Sequence, residues 1–367
     1  ATLSVGSAVS HTLDHAEVSQ ATFDWLLKLH QSWSGKTKLL SIEGKQRIKL
    51  ANYVGYLQSP SGEGIEILPK TERISPAEPD QLRGLLQRML QVSRKLTPRE
   101  AKSASLVVAH QPLHEWLMAE FLRELSELVR RGLRFDYQTL EDECRFVRGQ
   151  LDINKQLRQT PDKAARFHVR YAEFTPQRLE NRLLRSALDA VFRATQDNSN
   201  WRLANTLRHQ LIDIEPLSHP HREMHRWSDG KLLMSYRSIK PWCELVLDSI
   251  NPHFLQGPRQ GIALLFPMER LFEGYLEHGL RKQLADKYKL TAQASSQYLL
   301  THQPENSQGA SHWFQLQPDF LVQGPDSRFV LDAKWKLLDQ SQNTTERKYN
   351  INQADLYQLF AYGQKYL

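Results

Sequence analysis

The segment Pro318–Lys336, "PDFLVQGPDSRFVLDAKWK", constrains this chain more than any other. Two apolar runs, "FLV" and "RFVL", flank Gly324-Pro325-Asp326-Ser327. Gly-Pro-Asp-Ser is turn chemistry, so the segment reads as a β-hairpin. Its ends are charged: Asp319 opens the first strand and Asp332-Ala333-Lys334 closes the second. Residues two apart on a strand share a face. Asp332 and Lys334 therefore project together, and Ala333 points the other way, into the core. A turn at "GPDS" brings the start of one strand beside the end of the next, so two carboxylates and a lysine are expected to converge at one sheet edge.

That grouping suits phosphodiester hydrolysis. Mg²⁺ takes oxygen ligands and keeps several waters. Asp319, Asp332 and the carbonyl of Ala333 are the expected ligands, with Mn²⁺ as the substitute metal. The metal would act as a Lewis acid and acidify a water. Lys334 would orient that water or offset charge on the transition state. The preceding segment "PMERLFEGYLEHGLRKQLADKY" reads as an amphipathic helix with Glu269 and Glu273 at i, i+4, either of which can add a ligand. After the hairpin, "QADLYQLFAY" places Gln358 and Tyr362 on one helical face. The plainer alternative is a set of surface salt bridges at strand ends.

Composition is that of an ordinary globular protein: 367 residues, 40% hydrophobic and 24% charged. The formal charge of +7 suits a polyanionic partner, nucleic acid first. No apolar run approaches the ~18 residues needed to span a bilayer. The start lacks a basic segment followed by an apolar one, so no secretory signal is expected. Cys144 and Cys243 match no metal spacing and suggest no disulfide framework. A cytoplasmic protein fits.

The order of elements predicts an α+β multidomain chain. Residues 1–80 are a β-rich N-terminal region, with a helix over 21–33 and two strands over 46–70. Residues 81–250 are a mixed helical and β region with helices from Gln81, over 113–133, 176–196, 201–212 and 236–250, and strands over 134–157. Residues 251–367, opened by the break "NPHFLQGPRQG", form an α/β unit.

Other motifs carry less. "SGKT" at 34–37 resembles the end of a Walker A loop, but the position that needs the first glycine is His30, within a helical segment. His219, His221 and His225 lie in one loop and His110 and His114 are spaced i, i+4, without Cys or Asp partners at zinc spacing. Packed or solvated histidines account for them.

The pattern Pro-Asp, then Asp-Ala-Lys, then Gln-x-x-x-Tyr resembles the PD-(D/E)xK nucleases. Over most of its length the chain also resembles the McrC family, the nuclease subunit of McrBC-type modification-dependent restriction systems. The matching segments are "GYLQSPSGEGIEILPK", "RRGLRFDYQTLEDECRFVRGQLD", "FTPQRLENRLLRSAL", "MERLFEGYL", "PDFLVQ", "VLDAKWK" and "NQADLYQLFAY". The resemblance implies a C-terminal PD-(D/E)xK endonuclease domain over 251–367, with Asp319, Asp332, Lys334, Glu273 and Gln358 as its site residues. It implies docking of the preceding region on an McrB-like AAA+ GTPase hexamer, whose hydrolysis the chain stimulates. The partner would recognise modified cytosine in double-stranded DNA. Family members usually continue past the Gln-x-x-x-Tyr helix with more sheet, so the nuclease fold is expected to be short at its C-terminal end. Within 134–158, Arg145, Arg148 and Lys155 are candidates to reach the partner's nucleotide site. Two rivals stand beside this reading. One is a stand-alone metal-dependent nuclease; the other is a non-catalytic adaptor of an AAA+ ring.

Overall fold

The computed structural model describes residues 2–5, 15–33, 38–70, 79–93, 111–163, 165–249, 261–303, 311–336, 338 and 340–367. The "SGKT" segment, His110 and the break at 251–260 lie outside the described residues. The chain divides into two compact units: Ala1–Leu113 with Phe254–Leu367, and His114–His253.

The first unit begins with β1 (Thr2–Ser4), β2 (His15–Glu17), α1 (Gln20–Ser32), β3 (Leu40–Ile42), β4 (Arg47–Leu50), β5 (Tyr53–Gln58), β6 (Gly64–Ile67) and α2 (Pro79–Ser93). α1 forms because Ser19 caps it, its hydroxyl accepting from the Thr22 N–H. Phe23, Leu26 and Leu29, spaced at helical intervals, are buried against Ile48, Leu50 and Leu57. β4 alternates, with Arg47 and Lys49 exposed and Ile48 and Leu50 buried. The sheet order is β2-β1-β4-β3. Glu63, in the turn after β5, accepts from the Ser19 hydroxyl at 2.6 Å and the Thr22 hydroxyl at 2.5 Å. Burial alone would raise its carboxyl, but these bonds win and hold it below the usual range.

The second unit holds α3 (Leu113–Arg131) from His114 onward, β7 (Asp136–Cys144), β8 (Gln150–Leu151), α4 (Ile153–Leu157), β9 (Phe167–Thr175), α5 (Leu179–Ala194), α6 (Asn198–Gln210), α7 (Pro220–Glu223) and α8 (Lys240–Ser249). The 134–157 segment does not pair mainly with itself. β7 runs antiparallel to β9 from Asp136↔Thr175 to Cys144↔Phe167, and β8 joins the far end of β9. The result is a long arm. Its two roots are pinned together: Asn181 Nδ2 donates to the carbonyls of Arg134 (2.9 Å) and Pro176 (2.8 Å), and the buried Tyr236 hydroxyl donates to Asn181 Oδ1 at 2.8 Å. Tyr236 also accepts from the Arg134 N–H at 2.9 Å. In the helical base Glu115 is buried and accepts from the Thr195 hydroxyl (2.6 Å), the Gln196 N–H (2.6 Å) and Asn200 Nδ2 (2.8 Å).

The first unit resumes with β10 (Ile262–Pro267), α9 (Met268–Gln283), β11 (Lys289–Ala292), β12 (Gln297–His302), β13 (Ser311–Leu316), β14 (Phe320–Gln323), β15 (Arg328–Leu331) and α10 (Gln353–Tyr366). β5 is buried at every position and is flanked on both sides, by β6 and by β10. β10 pairs with it antiparallel from Ile262↔Gln58 to Pro267↔Tyr53. The N-terminal region and the C-terminal region thus share a sheet. α2, which begins the region expected to lie between them, also belongs to this unit and packs against α9.

Candidate active site

β14 is the middle strand of the sheet β11-β14-β15. Phe320, Leu321 and Val322 are buried, as the apolar run requires. The β14–β15 register runs Phe320↔Leu331, so the next residues outward, Asp319 and Asp332, face each other at the mouth of the hairpin. The backbone locks this arrangement, because the Ala333 N–H donates to Asp319 Oδ2 at 2.6 Å. Ala333 itself is buried. Lys334 Nζ lies 2.6 Å from Asp332 Oδ2, whose side chain is only 7% exposed.

A bulge adjoins Asp319. β11 faces β14 with Ala292↔Phe320, and β12 faces β13 with Gln297↔Leu316. Between these pairs one strand has residues 293–296 and the other only 317–319. Bulges of this kind re-aim side chains beside sites. The Gln293 N–H donates to the Asp319 carbonyl at 2.8 Å.

Glu273 comes from α9. Its neighbour Gly274 sits where a Cβ would fall 2.6 Å from Ser93 Cβ, so the glycine permits the close approach of α9 to α2. Phe272 meets Trp335 edge to face at 4.9 Å, tying α9 to the residue after Lys334. Burial, then the charge of Asp319, raises the Glu273 carboxyl above its ordinary value, against the opposing Gln293 bond. Burial, then the charge of Asp332, likewise raises Asp319, although the Ala333 N–H and Lys334 act the other way. For Lys334 burial is the largest influence and pulls downward, yet the bond to Asp332 and the charges of Asp332, Asp319 and Asp355 leave it raised. Glu273, Asp319, Asp332 and Lys334 therefore form one electrostatic group.

Gln358 stands apart from the carboxylates. Its Nε2 donates to the Tyr362 hydroxyl at 2.7 Å, and that hydroxyl donates to the Gln317 carbonyl at 3.2 Å, two residues before Asp319. The Tyr366 hydroxyl lies 2.8 Å from the carbonyls of both Ala294 and Leu316, across the bulge. Tyr366, Gln293 and Trp335 did not stand out in the sequence. The signal for Tyr366 was available, since it follows Tyr362 by four on the same helical face.

The donor set fits a hard divalent cation. Asp319 and Glu273 are held with mutual repulsion that a cation relieves. Among the described residues no group of three or more His, Cys, Asp or Glu side chains is placed to hold a metal ion. A metal here would rest on few protein ligands, completed by water and phosphate oxygens, as Mg²⁺ does. Among the other candidates, His221 pairs with Asp248 at 2.9 Å, His114 is buried, and Cys144 and Cys243 are free thiols. No described helix is long and apolar enough to cross a membrane.

The family model for the McrBC 5-methylcytosine restriction system component matches residues 48–367. The chain belongs to this family. Two solved structures from Thermococcus gammatolerans are similar to this McrBC-family chain. One is the refined half-complex from the tetradecameric assembly of McrB AAA+ hexamers with bound McrC. It matches at 21% identity over 95% of this chain and 80% of that chain, with a TM-score of 0.65. The other, the cryo-EM structure of the McrBC complex, matches at 21% identity over 73% of this chain and 83% of that chain, with a TM-score of 0.54. They share its mixed α/β fold of helices and several small sheets. No curated protein matches the chain.

Proposed function

We propose that this McrBC-family chain is the Mg²⁺-dependent, PD-(D/E)xK-type endonuclease subunit of its system, working with an McrB-like AAA+ hexamer on DNA that carries modified cytosine. The observation that carries the reading is the meeting of Asp319, Asp332, Lys334 and Glu273, from α9 and two facing strand ends, in the order of residue types such nucleases use. Asp319, Asp332 and the Ala333 carbonyl are the ligands for Mg²⁺ or Mn²⁺, with Glu273 beside them. The bound metal supplies Lewis-acid polarisation of the phosphodiester and acidifies the attacking water. Lys334, paired with Asp332 and kept protonated, orients that water and offsets charge developing on the phosphate. The Ala333 N–H fixes one Asp319 oxygen and leaves the other for the site. Gln358 and Tyr362 act through the backbone at Gln317, setting the approach of the strand that bears Asp319.

The partner reading is supported by the McrB AAA+ hexamers with bound McrC in a structure of similar fold. The arm of the second unit is the docking element proposed here. Its far end exposes Phe146, Val147, Ile153 and Leu157, an apolar surface that a solvated hairpin would not carry. Of the three cations expected to act on the partner, Lys155 is engaged by Glu141 at 2.5 Å and Arg148 lies over the Tyr171 ring at 4.1 Å. Arg145 is exposed beside Phe146 and is the one best placed for a partner.

The test is reconstitution with the McrB-like protein of the same system. Methylated DNA is cut with Mg²⁺ and nucleotide, and not after chelation or with Asp319→Ala or Asp332→Ala. Arg145→Ala lowers the partner's NTP turnover while cutting residues stay intact. Wild-type cleavage by either aspartate variant sinks the nuclease assignment.

A further inference from the structure

We propose that Gln293 is a positioning residue of the site, holding Glu273 through its side-chain amide and Asp319 through its backbone; the proposal rests on the nuclease reading above. Gln293 is the first residue after β11 and opens the bulge. Its φ is +48°, in the left-handed region that non-glycine residues seldom occupy. Such strain survives where the surroundings over-determine it, and it clusters at functional sites. Core packing does not hold it here, because the Gln293 side chain is exposed while the next residue, Ala294, is the buried one. A bulge that needed only a left-handed residue would be served best by Gly or Asn.

The strained backbone accomplishes two things at once. It turns the Gln293 N–H onto the Asp319 carbonyl at 2.8 Å, directly behind the Asp319 carboxylate. It also frees the side chain from the pleat of β11, and Nε2 reaches 3.5 Å from Glu273 Oε2 on α9. One residue therefore spans the gap between the helix that carries Glu273 and the strand that carries Asp319. Among the described residues the Gln293 side chain hydrogen-bonds neither aspartate carboxyl nor Lys334, so the side chain acts through Glu273 while the backbone holds Asp319.

Gln293→Gly in the full chain separates the two functions, because glycine accepts the left-handed backbone and keeps the N–H to Asp319 while the amide is deleted. The variant is expected to melt no lower than the wild type. Its Mn²⁺ affinity by calorimetry falls about 10-fold, the scale on which lost outer-shell partners act. In the reconstituted complex the Mg²⁺ concentration for half-maximal cleavage rises similarly, with the KM for DNA and the partner's NTP turnover unchanged. In a Glu273→Ala background, which has no acceptor for the Gln293 amide, the same change has no further effect on Mn²⁺ affinity. Mn²⁺ affinity and Mg²⁺ dependence within about 2-fold of wild type overturn the proposal, as does an undiminished effect in the Glu273→Ala background. Asp319→Ala, measured alongside, separates the two levels. If it loses metal and cleavage while Gln293→Gly keeps both, only the positioning role fails. If Asp319→Ala keeps both, the nuclease reading fails with it.

Discussion

Gly55 tests whether the N-terminal and C-terminal regions share one sheet. It lies in the middle of β5 with a φ of +140°, and a Cβ there would fall 1.9 Å from the Leu264 carbonyl oxygen and 3.2 Å from Leu265 Cα, both on β10. Real Cβ atoms essentially never approach a heavy atom within 3.0 Å. Gly55→Ala must therefore push β10 away by about 1 Å, beyond what packed strands absorb without losing contact. The cost has two parts. Backbone strain at a disfavoured φ is on the order of 1–3 kcal/mol. Each ladder hydrogen bond disturbed between β5 and β10 adds about 0.5–1.5 kcal/mol. A loss of about 3–5 kcal/mol follows, a large part of the ~5–15 kcal/mol that a domain has. Gly62→Ala is the control. Gly62 also has positive φ, +91°, but nothing lies within 4 Å of its added Cβ, so only strain of about 1–2 kcal/mol is expected. Urea unfolding of both variants, followed by tryptophan fluorescence, gives the comparison. Equal midpoints for Gly55→Ala and Gly62→Ala would refute the pairing of β10 on β5.

Asp319→Asn trades function for stability. The Asp319 and Glu273 carboxyls are raised in the fold, so their stabilising contribution is complete below the unfolded carboxylate values and is lost as pH rises through the folded ones. The metal-free chain therefore carries a penalty near neutral pH. Asp319→Asn should remove part of it; the carboxyl is only half-buried and its charge is screened by solvent, so the gain is at most about 1 kcal/mol, with the melting temperature flatter against pH. Melting scans without metal check this, and a lower midpoint than wild type near neutral pH would contradict it. Metal binding competes with protonation of these raised carboxyls, so the Mn²⁺ affinity of the wild type should fall as pH drops, as calorimetry across pH would show. In the second unit, Glu115→Ala leaves the Thr195 hydroxyl, the Gln196 N–H and the buried Asn200 amide without their carboxylate acceptor and should cost about 2–3 kcal/mol in urea unfolding. A cost under about 1 kcal/mol would mean that the network is not closed as described.

The site was legible in the sequence where its geometry is local. Asp319 and Asp332 meet because a short turn and a period of two fix the register, and both can be read from Pro318–Lys336. The helices of Glu273 and Gln358 were legible from apolar periodicity. Two things were not. The pairing of Ile262–Pro267 with Tyr53–Gln58 joins strands about 200 residues apart, and no local pattern names a distant partner; "GIALLFP" shows only that it is apolar. The turn at Gln293 was equally silent, since glutamine has no preference for left-handed backbone and nothing in "TAQASS" marks a bulge. β9 is a different case. Phe167, Val169 and Tyr171 alternate as a strand should, but the charges between them hid the ladder with β7 that builds the arm.

The chain is proposed to carry two separable activities, phosphodiester cleavage in the first unit and stimulation of the AAA+ partner through the second. Lys334→Ala separates them, because the role proposed for Lys334 is on the phosphate and its contact is with Asp332 in the first unit. The measurement is DNA cleavage and NTP turnover in the same reconstituted complex. The expected result is cleavage reduced at least ~100-fold, as for loss of a group that stabilises transition-state charge, with stimulated NTP turnover equal to wild type. Cleavage close to the wild-type rate, or loss of stimulation in step with cleavage, would contradict it.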